Sequence, residues 1–109
     1  MMERHGICIG LRPEHRAEYL ELHASVWPEV EQTLRAANIV NFTIFLHNDI
    51  LFGYYEYVGT DHAADQARIA ADPVTQRWWA RTDACQRRLP DTPDGAQWAQ
   101  MRQVWHLGK

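Results

Sequence analysis

The amino-acid sequence predicts a single α+β domain, residues 1–109, in which an antiparallel sheet carries helices on one face. Apolar, β-branched segments alternate along the chain with amphipathic segments of helical period. Their order is β-α-β-β-α-β, with the two central strands adjacent. The length of 109 residues fits one domain that buries roughly two-thirds of the surface its unfolded chain exposes. A core of that size needs no disulfide.

The first two elements are a strand and a long helix. Residues 4–11 (RHGICIGL) form a short apolar run that is typical of a buried strand. Residues 13–37 have the periodicity of one long amphipathic helix, and Pro13 suits its first turn because an N–H has no helical partner there. Pro28 cannot donate to the carbonyl of Ala24, so we expect a kink or a break at that point.

The next two elements are predicted to form a β-hairpin. Residues 39–47 (IVNFTIFLH) and 50–58 (ILFGYYEYV) are rich in β-branched and aromatic side chains, and Asn48-Asp49 suits a two-residue turn. If His47 pairs with Ile50, Phe42 and Tyr55 become cross-strand neighbours. Three further apolar side chains would share their face of the sheet: Ile44, Leu46 and Leu51.

Two helices and a strand complete the prediction. Residues 61–71 are alanine-rich and helical, ending before Asp72-Pro73, since a residue preceding proline avoids the α region. A second helix is predicted over 74–88, a loop over 89–95 and a final strand over 101–107. The order is the split βαβ of ferredoxin-like domains. Because apolar residues fall on both faces of the hairpin, we expect a second copy to cover the open face, giving a dimeric α+β barrel.

Composition excludes several classes of function. The net charge is −3 with no long basic run, which argues against nucleic-acid binding. No apolar segment is long enough for a membrane span, and the polar start argues against a secretory signal. Cys8 and Cys85 lie far apart and form no CxxC motif, so we expect reduced thiols in a soluble, cytoplasmic protein. The six histidines lack metal-ligand spacing, and we expect no metal and no cofactor.

His23 is the most informative single residue of the chain. At 100° per residue, four apolar or aromatic side chains fall within about 40° of it on one helical face: Tyr19, Trp27, Val30 and Leu34. Histidine changes its charge near neutral pH, and burial among aromatic side chains tunes that change. A core histidine with satisfied ring nitrogens is the alternative, and periodicity alone favours it.

Aromatic side chains are the second informative feature. The chain has five tryptophans and four tyrosines, and two of the tryptophans, Trp78 and Trp79, are adjacent. Indole faces can stack on the C–H groups of a pyranose ring while their N–H groups donate to hydroxyls; one core tryptophan and one interface tryptophan is the alternative. Tyr19 precedes His23 by one helical turn, so its phenol orients the imidazole, contacts a ligand hydroxyl, or simply packs on the same face.

These residues together resemble the signature of the L-rhamnose mutarotase family. The resemblance covers nearly the whole chain through six segments: Tyr19-x-x-x-His23, Val26-Trp27-Pro28-Glu29, NFTIFL (41–46), LFGYYE (51–56), DP-x-x-QRWW (72–79) and QVWHL (103–107). It implies a ferredoxin-like α+β domain that dimerises, in agreement with the order of elements derived above.

The resemblance also implies roles for individual residues. His23 corresponds to the proton donor of the family, and the residues corresponding to sugar contacts are Tyr19, Phe42, Trp78 and Trp79. The family has a tyrosine where this chain has Phe42, so one hydroxyl toward the sugar is lost, or is supplied by Tyr55. The departure bears on sugar identity, because family members are also linked to L-fucose, which differs from L-rhamnose at C2 and C4.

We therefore expect a mutarotase that interconverts the α and β anomers of a 6-deoxy-L-hexose, with L-rhamnose as the first hypothesis and L-fucose as the second. Ring opening needs an acid and a base near the working pH, and His23 suits the acid. Tyr19, an inward glutamate or a water molecule could act on the anomeric hydroxyl. The remaining alternatives are a dimeric α+β-barrel monooxygenase and a non-catalytic sugar-binding module.

Overall fold

A computed structural model describes residues 2–109 of the chain. It contains five strands, four α-helices and a short 3₁₀ turn at Pro13–His15. The strands are β1 (Glu3–Leu11), β2 (Ile39–His47), β3 (Ile50–Tyr57), β4 (Gln86–Arg87) and β5 (Ala99–Met101). The helices are α1 (Arg16–Ala24), α2 (Pro28–Ala36), α3 (His62–Ala71) and α4 (Pro73–Cys85).

The sheet has the order β2-β3-β1-β4, with β5 also paired to β1, and every pair is antiparallel. This arrangement confirms the predicted ferredoxin-like α+β fold. Strand residues of one face form two buried clusters against the helices. Ile9, Leu11 and Leu51 pack with Tyr19 of α1 and Cys85 of α4, whereas a second cluster packs Ile39, Tyr55 and Tyr57 with Ala37 and Ile69.

The long helix predicted over 13–37 is divided at Pro28, where a kink or break was expected. Helix α1 ends at Ala24, and α2 begins at Pro28, whose fixed φ and missing N–H suit a first helical position. The two halves therefore have separate axes, so a single helical wheel does not relate His23 to Val30 and Leu34. The helical periodicity correctly predicts that Tyr19 lies beside His23, because both residues belong to α1.

The predicted hairpin is confirmed, including its register. His47 pairs with Ile50, and Asn48 and Asp49 both adopt positive φ, as a type I′ turn requires. A β-bulge interrupts the pairing between Val40 and Thr43. Asn41, within the bulge, has a φ of 53°. Phe42 lies against Tyr55 as predicted, with ring centroids 5.6 Å apart.

Two predicted elements near the C-terminus are wrong in their extent. The helix predicted over 74–88 ends at Cys85, because Gln86 and Arg87 turn into β4 and pair with Leu11 and Gly10. The strand predicted over 101–107 is instead the short β5, Ala99–Met101, which pairs with Gly6–Cys8 of β1. Beyond it, residues 102–109 have no regular structure.

The sheet face opposite the helices carries two exposed phenylalanines beside polar side chains such as Glu56. Phe45 and Phe52, which are register partners in β2 and β3, are 63% and 37% exposed. Three apolar side chains after β5 are also largely exposed: Val104, Trp105 and Leu107. Within residues 2–109, no helix is long and apolar enough to cross a membrane.

Tyr57 ties β3 to the start of α3 through a buried polar cluster. Its hydroxyl donates to Asp65 and accepts a hydrogen bond from the backbone N–H of Asp61 at 2.9 Å. The Asp65 carboxylate also accepts from Asn38 Nδ2 at 3.0 Å and pairs with Arg68. Tyr57 is fully buried and Asp65 is 5% exposed. If either side chain is removed, the polar groups that remain lose a hydrogen-bond partner that water cannot reach to replace.

Replacing Tyr57 with phenylalanine should lower the free energy of unfolding by about 1–3 kcal/mol, since Asp65 and the Asp61 N–H each lose a partner. Urea unfolding followed by circular dichroism measures the difference. Tyr54→Phe is the matched control, because the Tyr54 hydroxyl bonds to Glu56 on the opposite face of the sheet, at a half-buried position. If both substitutions lowered the free energy of unfolding equally, the buried hydrogen bonds of Tyr57 would contribute no more to stability than the bond of Tyr54.

Candidate active site

A cleft of about 1520 Å³ lies between the helices and the sheet. All five residues singled out in the sequence line it: Tyr19, His23, Phe42, Trp78 and Trp79. They come from α1, β2 and α4, which are distant in sequence, and the fold brings them to one surface. The cleft is large enough for a monosaccharide and open on one side, as expected for a small-molecule site.

His23 is half-buried in the last turn of α1, with one ring nitrogen already engaged. Its Nδ1 lies 3.0 Å from the backbone carbonyl of Tyr19, which can only accept, so Nδ1 carries the proton and Nε2 is the nitrogen available to a ligand. Burial lowers the pKa of His23 below its usual 6.5, opposed by the hydrogen bond to the Tyr19 carbonyl. The neutral form therefore predominates at neutral pH.

Aromatic rings hold the imidazole on two sides. The Tyr19 ring stacks on it with centroids 4.2 Å apart, and Trp78 meets it edge to face at 5.3 Å. Trp27, at the break between α1 and α2, packs edge to face against Trp78 at 5.1 Å. The aromatic contacts restrict the plane of the imidazole, and the Nδ1 hydrogen bond selects between its two flipped orientations.

The two adjacent tryptophans have different environments. Trp78 is 5% exposed and Trp79 is 37% exposed, yet both line the cleft. Successive helical positions differ by about 100°, so Trp78 forms part of the packed wall while Trp79 stands at the rim. The division agrees with one buried indole that supports His23 and one that is free to meet a ligand.

Tyr19 belongs to the hydrophobic core and to the cleft at once. Only 3% of it is exposed, and burial raises the pKa of its phenol to about 12. The hydroxyl oxygen accepts a hydrogen bond from Gln86 Nε2 at 3.4 Å. At any ordinary pH Tyr19 is thus a neutral hydrogen-bond donor, and its phenolate is unavailable as a base.

Phe42 and Tyr55 form the part of the cleft over the sheet. The Tyr55 hydroxyl is hydrogen-bonded to His62 Nε2 at 2.8 Å, and burial raises the pKa of Tyr55 to about 12. Gly53, next to them, leaves room for the Ile7 side chain, whose Cγ1 would lie 2.8 Å from a Cβ built there, and it lies beside the Phe42 ring. Tyr55 therefore offers a hydroxyl near Phe42, but this hydroxyl is already hydrogen-bonded to His62.

Several lining residues were not found by sequence reasoning. The segment between β4 and β5 contributes Arg88, Gln97 and Trp98, and the end of α4 contributes Asp83. Asp83 stands at the exposed rim, and partial desolvation raises its carboxyl pKa. The predicted helix over 74–88 and the predicted loop over 89–95 carry no periodic signal that would point these side chains into a cleft.

A group of potential metal ligands lies at the start of the sheet, formed by Glu3, His5 and His62. The two imidazole rings stack 4.3 Å apart at an interplanar angle of 8°. In-plane lone pairs of parallel rings do not converge on one ion, and the ring nitrogens instead engage Glu3 and Tyr55. A second group, His15, Glu18 and Cys85, contains a thiol that is fully buried in the core.

Comparison with known proteins matches this chain over almost its full length. The family model described as L-rhamnose mutarotase matches residues 4–107. An L-rhamnose mutarotase of Opitutus terrae is 35% identical, over 97% of this chain and 99% of that protein. One from Enterococcus faecalis is 30% identical, over 97% and 100%. The crystal structure of an L-rhamnose mutarotase from Formosa agariphila has the same fold, with a TM-score of 0.76 at 20% identity, covering 97% of this chain and 99% of that one.

Fold and cleft together define a small ferredoxin-like domain with an aromatic-walled site around a half-buried imidazole. Such a site suits a ligand with apolar faces and polar edges. The family match gives this class its name: the chain belongs to the L-rhamnose mutarotase family of carbohydrate isomerases. The family predicted from the sequence is thereby confirmed, whereas the roles of individual side chains stay predictions.

The lowered pKa of His23 predicts that the protein loses stability as the pH falls. A histidine whose folded pKa lies below its unfolded value binds fewer protons when folded, so its penalty begins as the pH drops through about 6.5 and is complete below the folded pKa. His62 contributes with the same sign, through burial and the nearby His5. Urea midpoints at pH 7.5 and 5.5 measure the loss.

His23→Gln keeps a polar side chain without a titrating ring and should show a smaller loss between the two pH values. His47→Gln is the control, since His47 is exposed at the end of β2 and its change should leave the loss at the wild-type value. If the His23→Gln variant lost as much stability between pH 7.5 and 5.5 as the wild type, the conclusion that folding lowers the pKa of His23 would be refuted.

Proposed function

We propose that this protein interconverts the α and β anomers of L-rhamnose by acid–base ring opening, with L-fucose as the alternative 6-deoxy-L-hexose. The observation that carries the proposal is the orientation of His23. Its Nδ1 is committed to the Tyr19 carbonyl, so Nε2 is the proton-exchanging atom of an imidazole that lines an aromatic-walled cleft. Relatives that share the full length of the chain are named L-rhamnose mutarotases, which supports the same reaction.

The reaction requires two proton transfers in each direction. Protonated His23 gives its Nε2 proton to the ring oxygen while the bond from that oxygen to C1 breaks and the anomeric hydroxyl loses its proton to a base. The resulting aldehyde turns about the C1–C2 bond. The C5 hydroxyl then attacks the other face of C1 and returns its proton to Nε2, while the protonated base gives its proton to the aldehyde oxygen and re-forms the anomeric hydroxyl. His23 and the base thus end each cycle in their starting states. No electrons are gained or lost.

The pKa of His23 suits both halves of this cycle. Ring opening needs imidazolium and leaves neutral imidazole, which is the form that ring closure needs as a base. A lowered pKa makes the imidazolium a stronger acid, while its protonated fraction at neutral pH stays small but finite. General acid–base transfer of this kind contributes about 10²–10⁴-fold to a rate.

The group that accepts the anomeric proton is not Tyr19, because a phenol with a pKa of about 12 has no phenolate available near neutral pH. The carboxylates of Glu31 and Asp83 line the same cleft. The acceptor is therefore one of these carboxylates or a water molecule beside it. Tyr19 instead serves as a hydrogen-bond donor to the sugar, with Trp78 and Trp79 providing the apolar wall.

We further propose that two copies assemble through their open sheet faces, and that the dimer works in the cytoplasm. The exposed Phe45 and Phe52 form an apolar surface of the kind that marks an interface. The free cysteines, Cys8 and Cys85, support a reducing compartment. Both statements are independent of the chemistry at His23.

Replacing His23 with asparagine should lower kcat/KM for anomer exchange at least about 100-fold, because the ring oxygen loses its acid while a polar side chain remains. Saturation-transfer NMR of the anomeric protons of L-rhamnose and L-fucose, at equal enzyme concentration, measures the rate. In the wild type, kcat/KM should fall as the pH rises through the lowered pKa of His23, since the free enzyme loses its acidic form.

His47→Asn is the matched control, since this histidine is exposed and outside the cleft. Wild-type exchange of both sugars at the spontaneous rate would refute the proposed function, and sugar binding without faster exchange would favour a binding module. An unchanged rate in His23→Asn would refute the role of His23 alone. Oxygen uptake with an aromatic substrate would favour the monooxygenase alternative.

Replacing Phe42 with tyrosine should lower KM for L-rhamnose by about two- to tenfold, because it adds one neutral hydrogen bond to the sugar. The new hydroxyl would lie next to Tyr55, whose own hydroxyl is already hydrogen-bonded to His62. Steady-state exchange kinetics with both sugars measures the effect. The control is Phe45→Tyr on the opposite sheet face, and equal KM values for the two variants would show that position 42 does not contact the sugar.

A further inference from the structure

Two glutamine side chains form a relay that ends at the hydroxyl of Tyr19. Gln86 donates from Nε2 to the Tyr19 oxygen at 3.4 Å, and its Oε1 accepts from Gln97 Nε2 at 3.2 Å. Gln97 thereby determines which end of the Gln86 amide faces Tyr19, because its amine end requires a carbonyl oxygen as partner. All three residues line the cleft.

We propose that Gln86 is a positioning residue, which reserves the proton of the Tyr19 hydroxyl for an oxygen atom of the bound sugar. A phenol has one proton to donate and two lone pairs to accept. Gln86 donates to one lone pair of the Tyr19 oxygen, so the Tyr19 O–H group remains free to donate to another acceptor. Within residues 2–109, no protein acceptor takes this proton. An oxygen of a monosaccharide is a suitable acceptor in the same cleft.

Burial makes this arrangement effective. Gln86 is 4% exposed and Tyr19 is 3% exposed, so water competes little for either group. The Gln86 backbone is fixed as well, since it opens β4 opposite Leu11, and its carbonyl accepts from Arg12 Nε at 3.2 Å. Strand β4 thus holds the backbone of Gln86, and Gln97 holds its side-chain amide. A glutamate here would accept the proton that the sugar needs.

The competing interpretation is that Gln86 only satisfies a buried polar group. The two interpretations differ in whether the effect of Gln86 depends on Tyr19. The inference rests on the proposed function for the identity of the ligand, but binding can be followed without catalysis. Trp78 and Trp79 line the cleft, so their fluorescence reports sugar binding.

The test is a double-mutant cycle with Gln86→Met and Tyr19→Phe, read by fluorescence titration with L-rhamnose and L-fucose and by anomer exchange. Methionine is close to glutamine in size and has no amide. Each single variant should weaken sugar binding by about three- to tenfold, the range for one neutral hydrogen bond. The double variant should bind no more weakly than Tyr19→Phe alone, because without the hydroxyl Gln86 has nothing to orient.

Gln32→Met is the control, since Gln32 is exposed on α2 and outside the cleft, and it should bind as the wild type does. Gln97→Met, at a half-buried position, tests the same relay if Gln86→Met does not fold, and should weaken binding about twofold. Additive effects, or wild-type affinity in Gln86→Met, would overturn the proposal. Coupled binding effects without any catalysed exchange would support it and refute the proposed function, whereas absence of sugar binding by the wild type would overturn both.

Discussion

Tyr19 connects the hydrophobic core to the candidate site, and most of the site geometry depends on where its backbone and ring lie. The ring packs with Ile9, Leu11 and Leu51 of the sheet, which fixes α1 over β1 and β3. Its carbonyl accepts from Nδ1 of His23, and its ring stacks on the same imidazole. The residue therefore sets both the tautomer and the ring plane of His23, and it does so from a position that the core already determines.

The break at Pro28 allows the second wall of the site to form. A continuous helix would carry Trp27 onward along the axis of α1, whereas the interruption after Ala24 lets Trp27 pack against Trp78 of α4. Trp78 in turn meets the edge of His23. The imidazole is thus enclosed by Tyr19 of α1 and Trp78 of α4, and Trp27 packs against the Trp78 ring. That enclosure is the source of the desolvation that lowers its pKa.

The parts of this structure that local sequence signals control could be predicted, and the parts set by long-range pairing could not. The hairpin and its register from Thr43 to His47 follow from β-branched residues around Asn48-Asp49, and Phe42 packs against Tyr55 although a bulge interrupts the pairing there. The start of α2 follows from Pro28. By contrast, the local pattern predicts that Gln86 is helical, whereas in the structure it pairs with Leu11 as part of β4. The hydrogen bond from Gln86 to Tyr19 depends on this long-range pairing, so local patterns could not reveal it.

The segment 101–107, wrongly predicted as a strand, nevertheless contains large apolar side chains that remain exposed in the structure. Strand β1, with which β5 pairs, is already paired with β3 on one side and with β4 and β5 on the other, and within residues 2–109 the segment 102–107 pairs with no strand. Val104 and Leu107 are left 84% and 73% exposed, and burying each fully would be worth about 1.5–3 kcal/mol. The open sheet face, with Phe45 and Phe52, is exposed in the same way. In the proposed dimer, a second copy covering the open face would bury the phenylalanine side chains that a single chain leaves exposed.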